Sequence, residues 1–162
     1  LHSPQKNELD LGDAVSWFIE QDGEPSQSEV TLKMLTPVRI KFKRRYVRNL
    51  EFHVLIRQLL RRMFLLWYLH GEFDKAEYEQ IKDYHKNAIA LAEKVQIKNS
   101  NIYWYDWQRY SNRQKTRMNL GGLLGEITYC GNVTPFLPFL RAGEILHVGK
   151  NTTFGLGKYR VI

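Results

Sequence analysis

Along residues 30–43 apolar and polar side chains alternate. Val30, Leu32, Met34, Val38, Ile40 and Phe42 share one parity, and Lys33, Arg39, Lys41 and Lys43 share the other. A period of two sends successive side chains to opposite faces of a strand. The segment is therefore predicted as one strand with an apolar core face and a row of cations on its other face. Like charges in one row repel each other, so the row suits a charged partner, although a solvated polar face needs none. Pro37 falls on the polar parity, which predicts a bulge or an edge position, because proline donates nothing to a ladder. The period then changes. Phe52, Leu55, Ile56, Leu59, Leu60, Met63 and Trp67 follow helical spacing, with Asn49 as a candidate N-cap and Gly71 as a stop. Arg57, Arg61 and Arg62 decorate that helix, and Glu51 is the sole acidic residue between Arg39 and Arg62.

A second helix is predicted over residues 74–96. Asp74 with Glu77 three residues on resembles a capping box, and Ile81, Ala88, Ile89, Ala92 and Val95 make the buried stripe. Its acidic start (Glu72, Asp74, Glu77, Glu79, Asp83) is expected to face away from any polyanion. Residues 102–113 read as an aromatic strand, a basic turn with Arg113, Lys115 and Arg117 follows, and residues 118–130 return as a second strand interrupted by Gly121, Gly122 and Gly125. Aromatic residues are ordinary strand residues, and beside arginines they also suit base stacking, so Tyr103, Trp104, Tyr105, Trp107 and Tyr110 fit either sheet core or a nucleic-acid contact. A short helix is expected from about Pro135, then a glycine-rich loop and a last strand over residues 158–162. The order β, α (extended by a second helix), β, β, α, β predicts an α+β, ferredoxin-like or RRM-like antiparallel sheet with helices on one face. In such folds the open sheet face commonly meets RNA. Residues 1–28 are a polar lead-in or linker remnant, and residues 29–162 form one domain.

Composition sharpens the choice of partner. The 162 residues carry a formal charge of +7, with 43% hydrophobic and 13% aromatic residues. This describes a folded chain drawn to polyanions through long-range attraction and counterion release, without choosing among RNA, DNA and anionic lipid. Cys130 is the one cysteine, so no disulfide framework or cysteine zinc site forms within the chain. The start of the sequence does not read as a signal peptide and no apolar run approaches a membrane span, so a cytoplasmic protein without membrane partners is expected.

Candidate chemistry concentrates in residues 147–162, H-V-G-K-N-T-T-F-G-L-G-K-Y-R-V-I. Glycines allow close backbone approach and left-handed φ, and successive amides in such a turn cradle anions. Lys150 and Lys158 add charge on either side, and a tight structural turn is the plainer alternative. The loop is not a Walker A motif, since five residues separate Gly143 from Gly149 and Asn151 follows Lys150. No dinucleotide fingerprint is present. His147 is a weak candidate for a catalytic base, and also fits a structural or RNA-contacting role. His2, His53, His70 and His85 form no metal-binding pair, so no metal or cofactor is expected.

Several stretches together resemble one family. They are L-T-P-V-R-I-K at residues 35–41, Q-L-L-R-R at 58–62, R-Y-S at 109–111, G-G-L-L-G at 121–125, and L-H-V-G-K at 146–150 with F-G-L-G at 154–157. From about Val30 onward the chain resembles the C-terminal half of the CRISPR-associated "Cas-six" endoribonucleases of the RAMP superfamily. The resemblance implies two tandem ferredoxin-like domains, with a glycine-rich loop before the last strand of the second. It implies metal-independent cleavage in CRISPR repeat RNA, in which the 2′-hydroxyl attacks the adjacent phosphate. A general base, usually a histidine of the N-terminal domain, removes the proton. Only 28 residues precede the first clear strand, so the chain is expected to be the RNA-binding second domain and to cleave poorly alone. The expected RNA-binding residues are Gly149, Lys150, Gly155, Gly157 and Lys158 of the loop, Arg39, Lys41 and Lys43 of the first strand, and Arg109, Arg113 and Lys115 of the hairpin. The implied partners are CRISPR repeat RNA, the N-terminal domain of the same protein and other CRISPR complex subunits. The alternatives are a noncatalytic structural RNA-binding subunit and a self-sufficient nuclease using His147, Lys150 and a tyrosine.

Overall fold

The structure, a computed structural model, describes residues 28–70, 75–111 and 116–162. The lead-in up to residue 27, the proposed helix stop Gly71, the capping residue Asp74 and the turn cations Arg113 and Lys115 lie outside the described residues. Four strands form the main sheet: β1 (Ser28–Val38), β4 (Gln96–Tyr105), β7 (Gly122–Gly131) and β8 (Tyr159–Val161), in the spatial order β4-β7-β1-β8. All neighbours are antiparallel. Numbered as the first to fourth strands of the sheet, this is the ferredoxin-like order, read from the edge as second, third, first, fourth. Helices α1 (Phe52–His70) and α2 (Lys75–Ala92) connect the first strand to the second, so the extra helix expected from the sequence is present. Helix α3 (Leu137–Leu146) follows a 3-10 turn at Thr134–Phe136, with Pro135 and Pro138 in the first turns.

The alternation in β1 builds the core as its parity requires. Val30, Leu32, Met34, Val38 and Ile40 are all buried. They meet Ile127 and Tyr129 of β7, Tyr159 and Val161 of β8, and Leu55, Leu59 and Leu140 from the helices in one cluster. Phe52 is its aromatic hub, with ring centroids 4.9 Å from Tyr129 and 5.2 Å from Phe136. Two tyrosines anchor the layers by their hydroxyls. Tyr129 donates to the Leu50 carbonyl at 2.7 Å and Tyr159 to the Leu140 carbonyl at 2.8 Å. The opposite sheet face is polar, with Thr31 hydrogen-bonded to Thr128 at 2.8 Å and Lys33 paired to Glu126 at 2.8 Å.

Three expectations change in detail. The first strand does not run to Lys43. Its register shifts between Met34 and Val38, around the Pro37 that breaks the ladder, and the strand ends at Val38. A separate small hairpin follows, β2 (Lys41–Phe42) with β3 (Arg45–Tyr46). The cationic row is thereby split, because Lys33 stays on the sheet beside Glu126 while Arg39, Lys41 and Lys43 leave it. The first helix starts at Phe52 rather than after Asn49, and the amides of Val54 and Leu55 both reach the Glu51 carbonyl, so Glu51 occupies the cap position. The second helix ends at Ala92, because from Gln96 the chain is paired to Cys130 as the start of β4. The long hairpin forms with Ile102 opposite Gly125, but its first strand starts earlier, at Gln96, and ends at Tyr105, and the pairing continues past a break as β5 (Gln108–Ser111) with β6 (Thr116–Asn119). Of its aromatic residues Trp104 packs on the core, while Tyr103, Tyr105 and Trp107 stay exposed.

Burial raises the pKa of Tyr129 and Tyr159 above the ordinary tyrosine value of 10.0, and the Glu144 carboxylate adds to the rise at Tyr159. A raised folded-state pKa gives stability that is whole below about pH 10 and is lost as the pH climbs beyond it. Tyr129→Phe should cost about 1–2 kcal/mol near neutrality, by leaving the Leu50 carbonyl unpaired. Urea melts at about pH 8 and about pH 11 should show a smaller alkaline loss for this variant than for the parent chain.

Candidate nucleic-acid interface

The glycine loop is sewn to the end of β1 by its backbone. The amide of Gly157 donates to the Pro37 carbonyl at 3.1 Å, and that of Lys150 to the Arg39 carbonyl at 2.8 Å. The amides of Leu35 and Thr36 both donate to the Lys158 carbonyl, at 2.9 and 3.1 Å. The Thr36 hydroxyl donates to the Gly155 carbonyl at 3.1 Å and accepts from the Lys158 amide at 2.9 Å. The seam extends the β8 side of β1 past Met34, beside the irregularity at Pro37 in the β1–β7 register. Two glycines are required for it. A Cβ at Gly149 would lie 2.5 Å from the Arg39 carbonyl oxygen, and one at Gly157 only 2.0 Å from that of Val148, with φ +87 and +78. Gly155 is also left-handed, yet a side chain there would meet nothing within 4 Å.

The seam brings separate cations together. Arg39, Lys41 and Arg44, then Arg61 and Arg62 of α1, and Lys150 line a cavity of about 480 Å³ completed by Gln58, Leu65 and Gly149. Among the described residues no carboxylate lines it. Elsewhere the described basic residues are commonly paired: Lys33 with Glu126, Arg57 with Glu93, Lys82 with Glu79, Lys98 with Glu29 and Arg141 with Glu144. Two of the cavity cations are held by the chain. Arg62 donates through Nε to the Leu146 carbonyl at 2.7 Å. Arg39 donates to the Asn119 carbonyl and lays its guanidinium 4.1 Å over the Tyr46 ring. Among the described residues Lys41, Arg44, Arg61 and Lys150 have no acidic partner. A concave wall of one sign focuses field onto an anion and raises its local concentration.

The backbone around the cavity is strained. Lys43 and Arg44 have φ 46 and 67, and Asn151 has φ 64. His147 stands at φ 60, ψ 163. Each such conformation costs a non-glycine residue roughly 1–2 kcal/mol and clusters at sites with a function beyond folding. Residues 32–159 match the family described as CRISPR-associated endoribonuclease Cas6. The chain belongs to that family. No curated protein matches it significantly. Among solved structures it is similar to Thermus thermophilus Cas6, with 18% identity and a TM-score of 0.58, over 91% of this chain and 57% of that one. It is likewise similar to a Cas6 product complex, at 18% identity and TM-score 0.54, over 91% of this chain and 56% of that one. A partial Cas6-RT-Cas1–Cas2 complex gives 19% identity and TM-score 0.52, over 98% of this chain and 28% of that one. The chain thus spans a little over half the length of the Cas6 chains it matches first. These likenesses carry the fold.

Against this Cas6 fold, the sequence candidates separate. Arg39, Lys41, Gly149 and Lys150 line the cavity together. Lys43 does not line it; its ammonium lies 5.4 Å above the Phe42 ring of its own hairpin. Gly157 is buried and serves the seam, Gly155 is exposed, and Lys158 contributes its backbone to the seam while its side chain is exposed. Arg109 lies on β5. His147 is half-buried and its Nδ1 lies 3.2 Å from the Leu156 carbonyl. That oxygen only accepts, so Nδ1 is the protonated nitrogen and the ring braces the loop. Among the described residues no group of three His, Cys, Asp or Glu side chains is placed to hold a metal ion, and no helix is long and apolar enough to cross a membrane. Arg44 reads from the sequence equally as an RNA contact or a solvated strand end, whereas Arg61, Arg62, Gln58 and Leu65 were not singled out as site residues. The signal was present on α1, where Gln58, Arg61, Arg62 and Leu65 recur at i, i+3, i+4 and i+7 and so share one face opposite the buried stripe.

The two loop glycines should respond differently to a methyl group. Gly157→Ala forces a Cβ into the Val148 carbonyl as well as a left-handed backbone, and should lower stability by about 3 kcal/mol or more. Gly155→Ala meets only the backbone term and should cost about 1 kcal/mol. Chemical denaturation of the two variants measures the contrast.

Proposed function

We propose that this chain is the RNA-binding C-terminal domain of a CRISPR precursor-RNA processing endoribonuclease. The observation that carries this reading is the cavity lined, among the described residues, by six cations and no carboxylate, built where the glycine loop meets the end of the first strand. It suits the ribose-phosphate backbone of repeat RNA. Phosphates meeting Lys41, Arg44, Arg61 and Lys150 release condensed counterions, which supplies affinity. Arg39 and Arg62, already braced by carbonyls, hold their terminal guanidinium nitrogens in fixed directions. A guanidinium matches phosphate oxygens in a bidentate fork.

Cleavage in this reading is metal-independent: the 2′-hydroxyl attacks the adjacent phosphate, a base takes its proton, and cations stabilise the charge that develops. The cavity supplies the last of these. His147 points its protonated Nδ1 at the Leu156 carbonyl and is outside the cavity lining, so it is a brace rather than the base. The base belongs to the remainder of the protein, an N-terminal ferredoxin-like domain, and other CRISPR subunits are further partners.

Titration with labelled CRISPR repeat RNA at several salt concentrations tests the binding. Affinity should fall steeply with salt, and Lys150→Ala and Arg61→Ala should each weaken binding several-fold and lower the slope of log K against log salt by about 0.7–0.9. Unchanged slopes in both variants would remove the phosphate role. In a cleavage assay with EDTA the chain by itself should turn over repeat RNA at background rate. Robust cleavage lost on His147→Ala would instead identify a self-sufficient nuclease.

A further inference from the structure

The small hairpin of β2 and β3 is built in a way that its own stability does not require. Lys43 and Arg44 form its two-residue turn, both with positive φ. That turn favours Asn-Gly, whose backbones accept it with little strain. Here two long cations occupy it, followed by a third at Arg45. The hairpin is also fastened from both sides. Phe42 sits edge-on to the His53 ring of α1 at 5.6 Å. Tyr46 is the centre of a column of contacts: the Arg39 guanidinium lies 4.1 Å over its ring, its centroid is 6.2 Å from that of Trp104 with the rings tilted by 48°, and the Arg48 guanidinium lies 3.9 Å over Trp104. Trp104 is fixed in turn by its indole N–H, which donates to Asp106 at 2.7 Å, and by its place on β4 opposite Leu123.

Column and turn act on the same wall. Arg39 and Arg44 both line the cavity, and Tyr46 links them, stacked on the first and two residues from the second. We propose that Tyr46 and Trp104 are positioning residues: the column locks the hairpin to the central sheet, so that its strained tip holds Arg44 ready for an RNA phosphate. This rests on the reading of the cavity as an RNA-phosphate site. Charge alone would not need the column, because a free hairpin carries the same cations; the column removes their freedom before RNA arrives, which lowers the ordering cost of binding. Each ring carries an arginine over one face, and the two rings meet at a tilt of 48°. The contact assigned to Arg44 is to the RNA backbone and is blind to base sequence.

The test titrates the full chain with a labelled oligouridylate across a salt series. Arg44→Gln sits at an exposed tip and does not threaten the fold. It should weaken binding several-fold and lower the salt slope by about 0.7, the loss of one single-strand phosphate contact. Tyr46→Leu keeps every charge and should produce the same loss, while Tyr46→Phe, which keeps the ring, restores the slope. The double variant Tyr46→Leu/Arg44→Gln should bind no more weakly than either single variant, since both remove one contact. Full additivity, or a Tyr46→Leu chain with the parental slope while Lys150→Ala lowers it, overturns the positioning role and leaves the cavity reading standing. If Lys150→Ala and Arg61→Ala also leave the slope unchanged, the cavity reading fails and the proposal fails with it.

Discussion

The backbone seam between residues 35–39 and the loop after α3 is the constraint on which the site depends. It joins segments more than a hundred residues apart through amides and carbonyls, so it is indifferent to most side chains and strict about two glycines. Gly149 and Gly157 approach the carbonyls of Arg39 and Val148 more closely than any Cβ would permit. Because the seam is made of backbone, it fixes where Lys150 stands relative to Arg39 and Lys41 to within the play of a hydrogen bond. A loop attached by side chains would leave the same charges wandering. Pro37 and Arg39 stand on the strand side of it and lend their carbonyls to the Gly157 and Lys150 amides.

Charge is distributed unevenly around that seam. On the open sheet face and along the helices, cations stand beside carboxylates, and these exposed pairs add little to stability. Around the cavity Arg39 and Arg62 lean on neutral carbonyls and the remainder face one another. An unliganded cavity of this kind carries mutual repulsion, and the left-handed residues beside it add backbone strain. The repulsion falls when an anion enters. A fold selected for stability alone has no reason to keep these features together.

Family membership and fold agree with this geometry at different levels. The match over residues 32–159 and the strand order of the sheet concern the whole domain. The cavity concerns a few side chains at one end of it. The aromatic residues divide in the same way: Phe52, Tyr129 and Phe136 build the core, Tyr46 lies outside it beneath Arg39, and Trp104 packs at its edge beneath Arg48.

Much of the fold was legible in the sequence because burial imposes a period. The alternation at residues 30–42 named the core face of β1 residue by residue, the stripe from Phe52 to Leu60 named that of α1, and the order of elements led to the ferredoxin-like sheet. The cap of α1 fell at Glu51 rather than Asn49, and the end of α2 was misplaced because that boundary is decided by pairing with distant residues, as at Gln96 opposite Cys130. The cationic row was half right. Its parity was real, but a register shift removed Arg39 and Lys41 from the sheet that holds Lys33. Local sequence thus determined which faces are apolar, which residues carry charge and where glycine and proline interrupt regular structure. Only the tertiary structure decided that the helix face of Arg61 and Arg62, the hairpin tip at Arg44 and the loop at Lys150 form one wall, because that proximity comes from long-range backbone pairing, which leaves no period in the chain.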